Sequence, residues 1–224
     1  MFERILELIG ETELEKLKKA NVLLVGLGGV GGITLETLVR CGIGHITIID
    51  HDTFEKSNLN RQILSLDSNI GQKKVLVAKN RMLDINPNLD ITALDIFLDK
   101  SNIDMLGDYD YIIDACDTVK TKVLLIKYAL EKNIKIISSM GMGNRIDPRN
   151  IEITKLNRTI NDPLAKKLRN LLKDESLPLN IPVVCSGDLP MKRDKHISSM
   201  IMVPASAGIY MAYYVVNDIL DIEQ

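Results

Sequence analysis

The chain of 224 residues is long enough for one α/β unit with a substantial core, and its 46% hydrophobic and 26% charged residues are typical of a water-soluble globular protein. Its formal net charge of −2 excludes a strong overall attraction to nucleic acid, so any such contact requires a local patch. Three scattered cysteines give neither a disulfide framework nor a zinc-binding C-x-x-C pair, and no apolar run approaches the roughly eighteen residues of a membrane span. We therefore expect a cytoplasmic protein without stable membrane insertion.

Two short helices are predicted before the first strand. Residues 2–10 and 11–20 carry apolar side chains at helical spacing between charged ones, and Gly10 separates the two segments. Because both segments precede the sheet, they must pack outside it or against another subunit. Arg4 is the only arginine before the glycine-rich turn, and taken alone it is a surface charge.

The most informative stretch is an apolar run that ends in a glycine-rich turn. A strand is predicted at 21–26 and a helix from residue 33, and the turn between them follows a G-x-G-x-x-G arrangement that contains Gly26, Gly28, Gly29 and Gly31. Only a backbone without Cβ turns this sharply and lets a phosphate approach its N–H groups, and the helix N-terminus adds free donors. The motif predicts a nucleotide phosphate site without separating NAD from ATP.

The second predicted strand, at 45–50, ends in a carboxylate suited to the ribose of a nucleotide. Asp50 lies about twenty residues past the last glycine of the turn, and Asp52 follows it. The next segments supply amides and cations, namely Asn58, Arg61, Gln62 and Lys74. A triphosphate needs more charge compensation than a dinucleotide pyrophosphate, so fixed cations here favour ATP over NAD. The alternative is that Arg61 and Lys74 are ordinary solvated charges.

The alternation of helices and strands continues beyond residue 73. We predict a helix at 73–85, a strand at 90–95, a strand at 109–113, a helix at 119–132 and a strand at 135–139. The fourth strand is followed by Asp114 and Asp117, at the sheet edge where open parallel folds bind ligands. Asp117 is therefore a candidate magnesium ligand, and the alternative is that Asp117 or Thr118 caps the next helix.

The last third of the chain is less regular. It is expected to hold a strand at 150–155, a helix at 163–172, an irregular crossover at 175–196, strand candidates at 181–185 and 197–203, and an apolar helix at 205–221. Residues 155–196 carry nine basic and five acidic side chains. This modest basic patch suits a polyanionic substrate, although the scarcity of aromatic residues gives no sign of base stacking.

These elements predict an α/β, Rossmann-like ATP-binding fold, with a mainly parallel central sheet, helices on both faces and an antiparallel C-terminal extension. No repeat or linker divides the chain, so we expect one domain over residues 1–224. Within it, residues 1–20 form the N-terminal helices, residues 21–140 the nucleotide-binding core, and residues 141–224 the substrate-side and crossover region.

The motifs, in this order, resemble those of the ubiquitin-activating, ThiF and MoeB superfamily of ATP-dependent carboxylate-adenylating proteins. The resemblance rests on the glycine loop, on S-N-x-x-R-Q at 57–62, on G-x-x-K at 71–74 and on D-x-x-D at 114–117. Such a set of motifs seldom coincides, so the resemblance is specific over residues 4–139.

The resemblance implies roles for individual residues. Asp50 would hold ribose, Asp117 would bind Mg²⁺, and the phosphates would be contacted by Asn58, Arg61 and Lys74. It also implies a homodimer, in which the helices of residues 1–20 lie at the interface and Arg4 reaches the phosphates bound by the other subunit.

Within the superfamily, the chain is similar over nearly its whole length to the tRNA threonylcarbamoyladenosine dehydratase family. The similar stretches include 8–11, 137–144, 147–148, 162–165 and 203–208, and the later ones distinguish the family from sulfur-carrier adenylyltransferases. The family's substrate is N6-threonylcarbamoyladenosine, beside the anticodon of tRNA, so the resemblance implies ATP-dependent dehydration of this side chain through an acyl-adenylate. It leaves open a monovalent cation near 139–144 or 204–208 and a cysteine desulfurase or sulfur acceptor as a partner.

Three other functions remain as alternatives. An adenylyltransferase for a ubiquitin-like sulfur carrier would often use a sulfur-relaying cysteine on the crossover, where Cys185 is the only candidate, and it would carry zinc cysteine pairs that this chain lacks. A nicotinamide oxidoreductase would need a hydride-transfer site, which the sequence does not show. The third alternative is a non-enzymatic, ATP-dependent scaffold.

Overall fold

The computed structural model describes residues 1–191 and 197–222, in which seven strands form one sheet. The strands, in chain order, are β1 (Asn21–Val25), β2 (His45–Ile49), β3 (Asp90–Leu94), β4 (Tyr111–Asp114), β5 (Lys135–Ser139), β6 (Ile151–Lys155) and β7 (Pro182–Ser186). Their order across the sheet is β3-β2-β1-β4-β5-β7-β6, and every pair is parallel except β6 with β7. The predicted fold class, including its antiparallel C-terminal extension, is confirmed.

Helices cover both faces of this sheet. They are α1 (Glu3–Ile9), α2 (Glu11–Lys19), α3 (Gly31–Cys41), α4 (Lys74–Ile85), α5 (Val119–Lys132), α6 (Pro163–Asp174) and α7 (Met202–Ile219). One apolar core joins the sheet to α3, α4 and α7, and a second core joins it to α5 and α6. Because side chains alternate along a strand, Leu24 belongs to the first core and its neighbour Leu23 to the second.

The helices α3 and α7 pack closely, and this contact fixes the start of α3 beside the glycine-rich turn. A Cβ built on Gly208 of α7 would lie 2.6 Å from the Val30 carbonyl oxygen, so a larger residue does not fit there. The Gly208 carbonyl also accepts a hydrogen bond of 3.1 Å from the Thr34 hydroxyl. The C-terminal helix therefore buttresses the element that presents the turn.

The two N-terminal helices lie at the amino edge of the sheet. A Cβ on Gly42, which ends α3 in a left-handed conformation, would lie 3.0 Å from the Leu14 side chain, and the Phe2 ring lies beside it. The Gly44 N–H bonds to the Leu17 carbonyl, and the His45 N–H bonds to the Ala20 carbonyl. A parallel sheet binds ligands at its other edge, so α1 and α2 are remote from any site there.

The strand candidate at 197–203 is wrong. Residues 197–200 form no strand, and α7 begins at Met202, earlier than predicted. The segment is held instead by Asn144, whose N–H bonds to the Ser198 carbonyl while its side-chain oxygen accepts from the Ser198 N–H, and by Asn60, which bonds to the Ser199 carbonyl. Ile197, at the start of the segment, is 83% exposed. Among the described helices, none has the length and apolar character needed to cross a bilayer.

A candidate nucleotide and adenylation site

A pocket of about 510 Å³ lies at the carboxyl edge of the sheet. It is bounded by the segments that follow β1, β2, β4 and β5, which is where a doubly wound sheet binds its ligand. Its lining includes most of the residues predicted for the nucleotide, namely Gly26, Gly28, Gly29, Asp50, Asp52, Asn58, Arg61, Gln62, Lys74, Asp117 and Thr118. The fold thus brings together residues that are up to 92 positions apart in the sequence.

The glycine-rich turn leaves one side open to the pocket. A Cβ on Gly28 would meet no protein atom within 4 Å, so the missing side chain leaves free space beside the backbone. Gly26 has a φ of +95° and lies against the Ala115 carbonyl, so it is required for the turn itself. Among the described residues, no acceptor takes the N–H of Gly28, Gly29 or Val30. These donors precede α3, whose N-terminus favours an anion.

Asp50 ties the end of β2 to this turn. One carboxylate oxygen accepts the Leu27 N–H at 2.7 Å, and the other accepts the Asp52 N–H at 2.8 Å. Asp52 in turn forms a 2.8 Å ion pair with Lys74, the first residue of α4. Burial alone would raise the pKa of Asp52, but the hydrogen bond and charge of Lys74 outweigh burial and hold that pKa below its usual value. The ammonium of Lys74, which is nearly buried, is thereby fixed in the pocket wall.

The S-N-x-x-R-Q motif forms a turn on the same side of the pocket. The Asn58 side-chain oxygen accepts the Glu55 N–H at 3.0 Å, which shapes the short 3₁₀ turn Lys56–Asn58. Arg61 donates to the Ser57 carbonyl at 2.7 Å and forms no ion pair with the described residues. Gln62 is buried, and its Oε1 atom has no hydrogen-bond partner among them. A guanidinium without a carboxylate and a buried acceptor without a donor both suit a polar ligand.

Asp117 is exposed on the β4–α5 turn, and its carboxylate forms no ion pair within the described part of the chain. The alternative prediction, that Asp117 or Thr118 caps the next helix, holds for position only: Thr118 is the N-cap residue, but no side chain forms a capping hydrogen bond. The Thr118 hydroxyl instead donates to the Asp117 carboxylate at 3.4 Å. The geometry leaves Asp117 free to bind a cation facing the pocket.

A buried ion pair supports this turn from below. Lys122 and Asp114 are both fully buried, and the Lys122 ammonium donates to both Asp114 oxygens at 3.1 Å, to the Ser138 hydroxyl and to the Ser139 carbonyl. Asp114 also accepts the Cys116 N–H at 3.2 Å. The first carboxylate of the D-x-x-D motif is therefore structural, and it positions the residue next to Asp117.

The pocket also contains two groups of residues that were not predicted to bind the nucleotide. One follows β3, where Ile96, Phe97 and Leu98 form an apolar wall and the Phe97 ring lies edge-on to His51 at 4.9 Å. This group was missed, and its position after the carboxyl end of a strand was the signal that could have identified it. The other group comprises Ser139, at the end of β5, and Met140, Gly141, Met142 and Gly143 after it. These residues lie in the stretch 139–144, which the resemblance named only as a candidate cation region.

The wall that follows β5 is held by a buried pair, Arg145 and Asp162. Arg145 donates to the carbonyls of Gly141 and Gly143, and its Nη2 atom lies 3.8 Å from the Asp162 carboxylate. Asp162 accepts the Gly141 N–H at 2.9 Å and also caps α6 through the Ala165 N–H. The two stretches that distinguished the family in sequence, 137–144 and 162–165, are thus joined in one side of the pocket.

Two predicted site residues lie outside the pocket lining. A Cβ on Gly31 would lie 1.8 Å from the Gly26 carbonyl oxygen, so this glycine lets α3 start against the turn and does not face the ligand space. Arg4 is exposed on α1 at the opposite edge of the sheet. It cannot serve the pocket of its own chain from there.

The cysteines offer no reactive thiolate in this site. Cys116 lines the pocket, but burial and the neighbouring Asp114 carboxylate raise its pKa well above the usual value. Cys185 lies inside β7, and burial together with Glu152 raises its pKa to about 12. Both thiols are protonated at neutral pH and are poor nucleophiles. Cys185 is therefore unsuited to the sulfur relay that the carrier-protein alternative requires.

Known proteins share this sequence and this fold. The ThiF family profile matches residues 2–154. A tRNA threonylcarbamoyladenosine dehydratase of Bacillus subtilis is 37% identical over 96% of this chain and 93% of its own length. The enzyme of the same name from Escherichia coli is 42% identical over 75% of this chain and 63% of its own length. The crystal structure of the Escherichia coli enzyme in complex with ATP superposes with a TM-score of 0.93 at 35% identity, covering 98% of this chain and 93% of that one.

These matches decide between the alternatives. They extend over almost the whole chain, including the region after residue 140, and they name one ATP-using tRNA enzyme. The sulfur-carrier alternative is not favoured. The chain belongs to the ThiF family and, within it, to the tRNA threonylcarbamoyladenosine dehydratases.

Proposed function

We propose that this pocket adenylates the threonyl carboxylate of N6-threonylcarbamoyladenosine in tRNA and that the activated side chain then closes into a ring. A carboxylate oxygen attacks the α-phosphorus of ATP, so an acyl-adenylate forms and pyrophosphate leaves. A nitrogen or oxygen of the same side chain then attacks the carbonyl carbon and loses its proton, and AMP leaves with the bonding electrons. The net change in the nucleoside is the loss of one water.

The observation that carries this proposal is the placement of two cations and one free carboxylate around an open glycine turn. Arg61 and Lys74 would neutralise the charge that grows on the departing pyrophosphate, and the N–H groups at Gly28 would bind phosphate oxygens. Ring closure is intramolecular, with an effective molarity on the order of 10⁵ M or more, so it needs no enzyme nucleophile. The absence of a thiolate at Cys116 agrees with this.

The residues present also fit Mg²⁺, which would offset phosphate charge when bound. Magnesium is usually held by one or two carboxylates together with substrate phosphates and water. Asp117 supplies such a carboxylate at the pocket edge, without a competing ion pair. The described residues also bring three possible metal ligands together at Asp50, His51 and Asp52, but Asp50 and Asp52 are already engaged by backbone N–H groups and by Lys74.

We also propose a homodimer, in which Arg4 completes the partner's site. Helix α1 exposes Leu6 and Leu8, which are 42% and 83% accessible, and such apolar side chains suit a subunit contact. Arg4 lies on the same helix, is exposed and has no ion-pair partner among the described residues. Residues 21–140 would then bind the nucleotide, and residues 141–224 would shape the substrate side. Since the substrate is tRNA, we place the reaction in the cytoplasm.

Asp117→Asn tests the adenylation step, because it keeps the shape of the side chain and removes its charge. With tRNA that contains threonylcarbamoyladenosine as the only added substrate, we expect pyrophosphate release to fall about 10²- to 10³-fold. The melting temperature should not change, since Asp117 is exposed. Asp84→Asn, which removes the same charge from the exposed end of α4, is the matched control and should behave as wild type.

Two outcomes would contradict the proposal. Turnover close to wild type in Asp117→Asn would remove this carboxylate from the reaction. Pyrophosphate release that depends on a small carrier protein ending in Gly-Gly, and is indifferent to tRNA, would return the chain to the sulfur-carrier alternative.

A further inference from the structure

One asparagine of the S-N-x-x-R-Q turn makes two contacts that have not yet been given a role. The Asn60 side-chain oxygen accepts a hydrogen bond of 3.2 Å from Nη1 of Arg61, and its amide nitrogen donates one of 2.8 Å to the Ser199 carbonyl. A guanidinium can only donate and a carbonyl can only accept, so these two partners fix the orientation of the amide. Asn60 therefore links Arg61 directly to the segment of residues 197–200.

The contacts of Arg61 use only one of its nitrogen atoms. Nη1 donates to the Ser57 carbonyl at 2.7 Å as well as to Asn60, whereas Nη2 and Nε have no hydrogen-bond partner within residues 1–191 and 197–222. Both acceptors are neutral amide oxygens, so they hold the guanidinium without supplying a counter-charge. A cation that is oriented but not neutralised suits the binding of phosphate and the departure of pyrophosphate.

The segment 197–200 is itself part of the pocket wall. Ile197 and Ser199 line the pocket. At the side of the wall that follows β5, Asn144 donates its N–H to the Ser198 carbonyl at 2.6 Å, and its side-chain oxygen accepts the Ser198 N–H at 2.7 Å. The segment is thus fixed at this side by one asparagine and at the Arg61 side by another.

We propose that Asn60 is a positioning residue, which holds the Arg61 guanidinium at the ATP phosphates and aligns it with the segment 197–200; this rests on the proposed function. Arg61 touches the phosphates, and Asn60 acts through Arg61. The neutrality of the side chain is part of its role, because a carboxylate here would pair with Arg61 and compete with phosphate for its charge. The S-N-x-x-R-Q pattern leaves position 60 open, so the motif alone assigns this residue no function.

Substitutions of Asn60 test the need for a neutral amide. Asn60→Ala removes both contacts, whereas Asn60→Asp keeps an acceptor for Arg61, loses the donor to Ser199 and adds a counter-charge. Without tRNA, we expect ATP affinity to fall about tenfold in Asn60→Ala, the magnitude of one hydrogen bond to a charged group, and to fall further in Asn60→Asp. A role confined to holding Ser199 predicts equal losses, since both variants lack the donor, and equal losses would overturn the proposal.

A matched control separates these effects from a general change of charge or stability. Asn80→Asp adds the same charge at an exposed position of α4, outside the pocket lining, and should bind ATP as wild type does. Asn60 is also exposed, so its variants should keep the wild-type melting temperature.

A double-mutant cycle shows whether Asn60 acts through Arg61. Arg61→Ala alone should lower pyrophosphate release with tRNA about 10²- to 10³-fold. Asn60→Ala should lower kcat about tenfold in the wild-type chain and by no more than about twofold in the Arg61→Ala background, where the cation that it positions is missing. The same cycle for ATP affinity, without tRNA, should show the same coupling. Equal losses from Asn60→Ala in the two backgrounds would overturn the positioning role.

Hydrogen exchange tests the link to the segment 197–200. In the free protein, Asn60→Ala and Asn60→Asp should both speed amide exchange in this segment, because each frees the Ser199 carbonyl, and Arg61→Ala should not. Unchanged exchange in both Asn60 variants would overturn the link. A wild-type protein that shows the coupling of Asn60 and Arg61 in ATP affinity but releases no pyrophosphate with tRNA would instead contradict the proposed function and leave the positioning of Arg61 standing.

Discussion

At the scale of single residues, two glycines of the turn after β1 differ in what their missing side chains allow. At Gly28 a Cβ would enter free space in the pocket, whereas at Gly31 it would lie 1.8 Å from the Gly26 carbonyl oxygen. Gly28 therefore leaves space for the ligand, whereas Gly31 allows α3 to start against the turn. The G-x-G-x-x-G pattern alone does not separate these two requirements.

This difference predicts opposite effects of the same substitution. Gly28→Ala should fold normally, because its Cβ meets no protein atom, but should weaken ATP binding roughly ten- to hundredfold by blocking a phosphate. Gly31→Ala should lower the free energy of unfolding by about 3 kcal/mol or more, or about 6–12 °C in melting temperature. Isothermal titration with ATP and thermal melts of both variants check this. A Gly28→Ala protein that melts early but binds ATP normally would contradict the assignment.

The site residues that could be predicted from the sequence differ from the missed ones in whether they belong to a short motif. Asp50, Lys74 and Asp117 belong to short motifs with fixed spacing, and all three line the pocket. The pair of Arg145 and Asp162 was missed because its members lie 17 residues apart and act through backbone carbonyls and N–H groups, which carry no sequence signature. Asp162 was noticed only as part of the stretch 162–165, with no role assigned, and Arg145 lies just beyond the stretch 137–144.

At the scale of elements, the β4–α5 turn depends on a polar cluster inside an apolar core. Lys122 reaches from α5 to Asp114 at the end of β4 and to Ser138 and Ser139 on β5. One ammonium thereby joins one helix and two strands directly beneath the residues that precede Asp117. A charged group with no exposure is tolerated here because its hydrogen bonds and its counter-charge are all supplied by the protein.

Removing one member of this pair should therefore be costly. Lys122→Met leaves the Asp114 carboxylate buried without a counter-charge, and we expect a loss of about 3–5 kcal/mol in the free energy of unfolding. Asp114→Asn/Lys122→Met removes both charges and should cost clearly less than the two single changes added together, with a coupling of about 1 kcal/mol or more. Urea unfolding of the four proteins measures the coupling, and strict additivity would show that the pair is not a unit.

Most elements could be predicted because their patterns are local. The apolar runs of β1, β2, β4 and β5 and the helical spacing of α4 and α5 gave bounds close to those in the structure. The strand expected at 197–203 does not form, and Ile197 at its start is 83% exposed. Whether such a segment becomes a strand depends on a free sheet edge, and the edge next to β7 is already taken by β6.

At the scale of the whole molecule, the pocket and the N-terminal helices lie at opposite edges of the sheet. The segment after β1 supplies backbone N–H groups, the segments after β2 and β4 supply cations and carboxylates, and the segments after β5 and in α6 supply the second wall. Arg4 contributes nothing to this pocket from its position on α1. A chain that uses Arg4 in the reaction must therefore place it in the site of another copy.

Mixing two inactive variants tests this arrangement directly. In a heterodimer of Arg4→Ala and Asp117→Asn chains, the first chain keeps its own Asp117 and receives the partner's Arg4, so one complete site forms. Random pairing of equal amounts makes half of the dimers mixed, so about a quarter of all sites should be active. Pyrophosphate release after co-refolding, compared with each variant refolded alone, measures this recovery. If Arg4 acted within its own chain, every site in the mixture would lack one residue and no activity would return.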